Sequence, residues 1–195
     1  MTEIADVLSA DGFPVFLPHR DGMEFRCVHQ VLVERGWQAA PAAHHLHAAI
    51  FALDVFQLAS ECGGMVWNLN GRTPDEGAVS EAAIAWTLGK PLVAFSDDAR
   101  SLIAGQINPL LAGLVNFETV RAIDEIPAAL QTAFESQPLS SPPAESLAPN
   151  LQRAVDEGRR LWAAMTAEET TGCDEAIADV VVRLFIPEQE RPALI

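Results

Sequence analysis

Asp75 and Glu81 are the pair of carboxylates whose setting suits covalent chemistry. They stand in the run Asn70-Gly71-Arg72-Thr73-Pro74-Asp75-Glu76-Gly77-Ala78-Val79-Ser80-Glu81. Six positions apart, they would lie about 240° from each other around an unbroken helix. Both face one pocket only if Asp75 belongs to a loop and Glu81 to the helix that follows. The prolines and glycines of the run set that boundary between them. Gly77 lets backbone approach a ligand closely. Glu81 near a helix N-terminus is favoured as the carboxylate by the peptide dipoles, and an ionised carboxylate beside an open loop is a usable nucleophile. Without the residues around them, two such acids would be an ordinary loop acid and an ordinary helix-surface acid.

The elements that must position this pair follow from periodicity and punctuation. Residues 2–10 read as a short helix with Ile4, Val7 and Leu8 on one side, ended by Gly12. Phe13 to Pro18 is a proline-bounded extended run, and His19-Arg20-Asp21-Gly22 a polar turn. Helices are predicted over 24–35 and 42–61, the second closed by Gly63-Gly64. Met65 to Leu69 is a strand, residues 78–88 a helix capped by Gly89, and Pro91 to Phe95 a buried strand. Ser96-Asp97-Asp98 is placed to cap a further helix, a last short strand is expected at Val115-Asn116-Phe117, and Ile123 to Phe134 is an amphipathic helix. The alternation means an α/β layer fold with a mostly parallel sheet, whose ligands bind beyond the carboxyl ends of the strands. The loop from Asn70 to Gly77 leaves such an end. Residues 136–150 hold four prolines and four serines, a linker by composition. Two helices follow in 151–186, although Val180-Val181-Val182 is β-branched enough to be extended. The expected organisation is an α/β domain over 1–135, a linker over 136–150 and a helical extension over 151–195.

Composition excludes several function classes. At 195 residues and 49% hydrophobic the chain can bury a core. With 27 acidic against 12 basic residues its formal charge is −15, which argues against nucleic acid and against an anionic membrane surface. A neutral, nucleoside-sized ligand remains compatible with that field. No apolar run reaches the ~18 residues a membrane span needs, and no signal-peptide pattern opens the sequence. Cys27, Cys62 and Cys173 are odd in number and widely spaced, so reduced thiols in a cytoplasmic setting are expected. Cys27 and Cys62 read as apolar packing residues. His44, His45 and His47 have no partner at a recognised zinc spacing, so no metal is expected there. Trp67 and Trp86 flank the proposed site, where either could stack on a base, and core packing is the favoured reading for Trp86.

The run Asp75-x-Gly77-x-x-x-Glu81, an alanine-rich turn and Leu88-Gly89-Lys90-Pro91 together resemble the nucleoside 2-deoxyribosyltransferase family. Phe16-Leu17-Pro18-His19-Arg20-Asp21-Gly22 resembles the family's loop after its second strand. Asp54, eight residues before Cys62, stands where the family has an aspartate ahead of its third strand. Ser96-Asp97-Asp98-Ala99-Arg100, with Asn108 after it, resembles the segment beyond the next strand. The likeness runs over roughly residues 3–130, in order. It implies a flavodoxin-like, Rossmann-like parallel sheet between helices and transfer of 2-deoxyribose between bases by double displacement. Glu81 would be the nucleophile, Asp75 and Asp54 would contact and protonate the base, and Asn108 would reach the sugar's 5′-hydroxyl, in this family typically from a neighbouring subunit. Arg20, Asp21, Asn70 and Gly77 fall in the matching substrate loops. The implied partners are a deoxyribonucleoside and a free nucleobase, with no cofactor, and the implied assembly is a dimer or higher homo-oligomer.

Three departures accompany the likeness. The matching part starts inside the helix that follows the family's first strand, and the chain has no tyrosine to orient the nucleophile. Val180 to Ile186 is the candidate to fill the place of that strand. Asn70-Gly71 replaces the family's Asp-Gly, and Cys62 an acidic residue. Ala83 replaces a glycine after Glu81. Two other functions compete with transfer: hydrolysis of N-glycosides of nucleosides or their 5′-phosphates, and nucleoside binding without turnover. The loop lacks the double glycine that would cradle a phosphate, which ranks phosphorylated substrates lower.

Overall fold

A computed structural model of the chain describes residues 2–71, 75–98, 107–137 and 147–190. The protein is mixed α/β and mostly helical, with a two-stranded parallel sheet. The elements are α1 (Thr2–Ala10), α2 (Phe25–Glu34), α3 (Ala39–Phe56), β1 (Met65–Asn68), α4 (Glu76–Thr87), β2 (Leu92–Phe95), α5 (Pro109–Gly113), α6 (Ile126–Ser136), α7 (Pro149–Ala167) and α8 (Ala176–Phe185). No helix among the described residues is long and apolar enough to cross a membrane. The chain forms two compact units, Met1–Val15 with Leu58–Pro143 and Phe16–Gln57 with Ala144–Ile195.

The first unit is built on β1 and β2, which pair in parallel in the register Met65 to Leu92 and Asn68 to Phe95. Parallel neighbours need a crossover, and α4 supplies it. Side chains alternate along both strands, so each face collects its own core. Val66, Val93 and Phe95 pack with Ile4 and Leu8 of α1 and Ile126 and Leu130 of α6. Trp67, Leu69 and Ala94 pack on the other face with Ala82 of α4 and Val115. Beyond β2, Val120 makes a single parallel bridge to Phe95: its N–H donates to Ala94 O at 2.8 Å, and Ser96 N–H donates to its carbonyl at 2.9 Å.

The strand expected at Val115 to Phe117 is a turn. Asn116 and Phe117 have φ of 52° and 64°, and the Phe117 N–H closes on Ala112 O at 2.8 Å. The extended pairing falls three residues later, at Val120, because α5 has first to be closed. Phe13 to Leu17 is not helical but joins no ladder among the described residues. Ser96 to Asp98 lie in a loop, and Ala99-Arg100 of the same motif lies outside the described residues, as do Arg72 to Pro74 and 138–146 of the predicted linker.

The second unit is helical. Val28 and Leu32 of α2, Leu46 and Leu53 of α3, Leu161 and Met165 of α7, and Ile177, Val180 and Val181 of α8 share one core. Val180 to Phe185 is therefore helix, which removes it as a filler strand. Ile177, Ala178, Val180 and Val181 form a helical stripe, and burying that stripe outweighs the β-propensity of three valines. The α3–α7 crossing is close: a Cβ on Gly158 would stand 2.0 Å from the Ala52 carbonyl oxygen.

Cys27 and Cys173 are joined in a disulfide, with Cα atoms 5.3 Å apart. The expectation of three reduced thiols, with Cys27 as a packing residue, therefore holds only for Cys62, which is free and half-buried. The pairing spans 146 residues and follows from the fold of this unit, not from any spacing in the sequence.

Candidate active site

Five of the singled-out residues belong to the first unit. Asp75 is the N-cap of α4, extended at φ −61° and ψ 123°, with Oδ1 accepting from Ala78 N at 2.8 Å. That is the loop-to-helix boundary the spacing predicts. Oδ2 engages no described residue. Gly77 is the second residue of α4, exposed and facing Asp75: a Cβ there would lie 3.1 Å from Oδ1.

Glu81 lies one and a half turns into the helix and is half-buried. Burial pushes its pKa up from the usual carboxylate value, and the nearby charge of Asp75 raises it further. This reverses the expected direction. The dipole effect fades beyond the first helical turn, and Glu81 stands past it, so desolvation decides.

Asn70 joins the loops that leave the two strands. Its Nδ2 donates to Asp97 Oδ1 at 2.5 Å, and its Oδ1 accepts from the Asp97 and Asp98 N–H groups at 3.1 Å each. Asn108 is the N-cap of α5, accepting from Leu110 N at 2.9 Å, which accounts structurally for one of its oxygen's lone pairs.

The other three belong to the second unit. Asp54 is half-buried in the last turn of α3. Arg20 and Asp21 form a bidentate pair, with Nε to Oδ1 at 2.6 Å and Nη2 to Oδ2 at 2.7 Å. Partial burial of Asp21 raises its pKa, but the Arg20 hydrogen bond and the Leu17 N–H, which donates at 2.7 Å, outweigh it, so the net shift is downward.

No family model, curated protein or solved structure matches the chain.

Two residues of the first unit carry more than the sequence reading assigned them. Lys90 of Leu88-Gly89-Lys90-Pro91 is only 5% exposed, and its Nζ donates to the Cys62 carbonyl at 2.6 Å. Burial lowers its pKa, while the Cys62 thiol opposes that shift. Burial raises the Cys62 pKa; Lys90 counteracts, and Glu61 and Glu81 add to the rise. Cys62 is thus linked electrostatically to Lys90 and to Glu81, and Glu81 in turn to Asp75. The signal in the sequence was the lysine placed between Gly89 and Pro91, immediately before a buried strand.

The core packing expected of Trp86 falls to Trp67 instead. Trp67 is fully buried, its Nε1 without an acceptor among the described residues, whereas Trp86 is 57% exposed on α4. An open groove of about 540 Å³ among the described residues of this unit lies between α1 and α6, against Val7, Phe13, Asp124 and Gln131. None of the proposed site residues lines it.

Proposed function

We propose that the chain is a pentosyltransferase of the nucleoside 2-deoxyribosyltransferase kind, on a flavodoxin-like sheet, passing a 2-deoxyribosyl group between nucleobases through an ester on Glu81. The observation that carries this reading is the half-buried Glu81 on α4, one and a half turns after the capping carboxylate of Asp75. Helix α4 begins after the carboxyl end of a parallel strand, where α/β sheets take their ligands.

The chemistry follows a retaining pattern. A Glu81 carboxylate oxygen bonds to the anomeric carbon as the carbon–nitrogen bond breaks. The electron pair leaves on the base, which takes a proton from the carboxylic acid of Asp75. A second base then attacks the same carbon, the ester bond breaks, and the proton returns to the acid. A desolvated Glu81 is a stronger nucleophile once ionised and needs a higher pH to be so. Asn70 would hold the two strand-end loops in place, with Gly77 and Asn108 of the same unit shaping the remainder of the substrate site. The partners are a deoxyribonucleoside and a free base, and the assembly a homo-oligomer.

The test incubates purified protein with 2′-deoxyinosine and adenine, and separately with thymidine and cytosine, with Glu81→Ala alongside. A new deoxynucleoside that disappears in the variant supports transfer. Free base alone, again lost in the variant, makes the protein an N-glycoside hydrolase with water as acceptor. Binding of the nucleoside without either product overturns the catalytic reading and leaves a nucleoside-binding protein.

A further inference from the structure

The disulfide of the second unit has a carboxylate beside it. The Sγ atoms of Cys27 and Cys173 and a carboxylate oxygen of Glu24 all lie within 4.8 Å of one another. Each is held there by backbone. Glu24 is the N-cap of α2, its Oε2 accepting from Cys27 N at 2.7 Å, which fixes the carboxyl group over the first turn and leaves Oε1 for another partner. Cys173 follows Gly172, whose N–H donates to Gly22 O at 2.7 Å and whose carbonyl accepts from Glu24 N at 2.9 Å. Gly172 has φ +62°, and a Cβ there would lie 3.1 Å from the Arg20 carbonyl oxygen, so glycine is what allows this approach. The two cysteines are thus kept adjacent by hydrogen bonds that do not depend on the sulfur–sulfur bond.

Cys173 is exposed and Cys27 half-buried, so a reductant has access to the bond. A dithiol would deliver two electrons and two protons to the pair and leave as its own disulfide. What remains is two thiols and a carboxylate on a preformed backbone, with Cα atoms 5.3 Å apart. Tetrahedral zinc takes thiolates at ~2.3 Å and carboxylate oxygen at ~2.0–2.2 Å, and a three-ligand site leaves its fourth position to water.

We propose that Cys27, Cys173 and Glu24 form a site for one soft divalent cation of the zinc class, closed while the disulfide stands and opened by its reduction. Binding releases the two thiol protons, and a sulfur–metal–sulfur link takes the place of the sulfur–sulfur link. In both states the segment around Gly172 stays tied to the start of α2. The softness of two thiolates selects zinc or cobalt over magnesium or calcium.

The test uses the full chain, reduced with dithiothreitol and desalted without oxygen, then titrated with Co²⁺ and, in a second series, with Zn²⁺ against a chromophoric chelator. One equivalent is expected, with thiolate-to-cobalt charge-transfer absorption, in the reduced protein and none in the oxidised protein. Cys173→Ser should remove the absorption, Glu24→Gln should weaken binding by ~10-fold or more, and Cys62→Ser should change nothing. The Glu24→Gln variant keeps the disulfide and so keeps the test informative if the cysteine variant folds poorly. Failure of the reduced wild-type protein to bind, or binding that survives in folded Cys173→Ser, overturns the proposal. Unchanged affinity in Glu24→Gln overturns the place of Glu24 in it.

Discussion

Substituting Gly158 by alanine sets two effects of opposite sign against each other. Position 158 is interior to α7, and alanine is favoured over glycine there by about 1 kcal/mol of helix propensity. On that ground alone the variant would be more stable. The structure argues the reverse. The added carbon would meet Ala52 O at 2.0 Å, Phe56 Cβ at 2.5 Å and Ala52 C at 2.7 Å. Two of these three atoms are backbone, so no rotamer change relieves them, and α3 and α7 must separate by about 1 Å or more to restore ordinary contact distances of ~3.5 Å. Ala49, Leu53, Leu161 and Met165 share that core and lose packing with the separation. Overpacking of this kind costs ~1–3 kcal/mol, and with fixed backbone on one side the upper half of that range applies. After the propensity gain the net loss is about 1–2 kcal/mol, which corresponds to ~2–8 °C in Tm for a chain of this size. Urea denaturation and a thermal scan of the full chain, wild type against Gly158→Ala, measure it. Equal or greater stability in the variant would refute the claim that the α3–α7 crossing requires glycine.

Glu81→Gln should abolish turnover and also stabilise the protein near neutral pH. The folded-state pKa of Glu81 lies above its unfolded value, so the native state holds this proton more tightly and stability declines as pH rises from the unfolded pKa through the folded one. The gain from Gln should therefore be greatest above that window and vanish below it; a difference that does not change with pH in paired denaturation curves would sink the argument. For the proposed transfer reaction the same shift moves the acid limb of the pH–rate profile above the ordinary glutamate value, and a limb at or below that value would exclude Glu81 as the group being titrated. Asn70→Ala removes three hydrogen bonds between the strand-end loops. It should cost ~1–2 kcal/mol and raise KM more than it lowers kcat, since these partly exposed bonds position loops and do not touch reacting atoms. Unaltered KM would mean that the loops are held in place by other contacts.

Much of the local structure was legible in the amino-acid order because it rests on local causes. Strands β1 and β2 are short apolar runs marked off by Gly63-Gly64 and Gly89, and α1, α2, α4, α6 and α7 follow from apolar period and punctuation. The place of Asp75 ahead of α4 was legible for the same reason, whereas its role as the cap, accepting from Ala78 N, is read from the structure.

What the tertiary structure alone decided depends on partners distant in the chain. The valines of α8 are helical because Ile177, Val180 and Val181 find a core formed by α2, α3 and α7, and no local preference records that core. Cys27 meets Cys173 because Gly172 bonds across to Gly22 and Glu24. Lys90 is buried, and Glu81 is shifted upward, because of what surrounds them in the folded unit. Residue type and spacing identify which groups are able to do chemistry. Desolvation and neighbouring charge, which set their protonation, are properties of the packed molecule, and for Glu81 they reverse the direction that its place in the helix predicts.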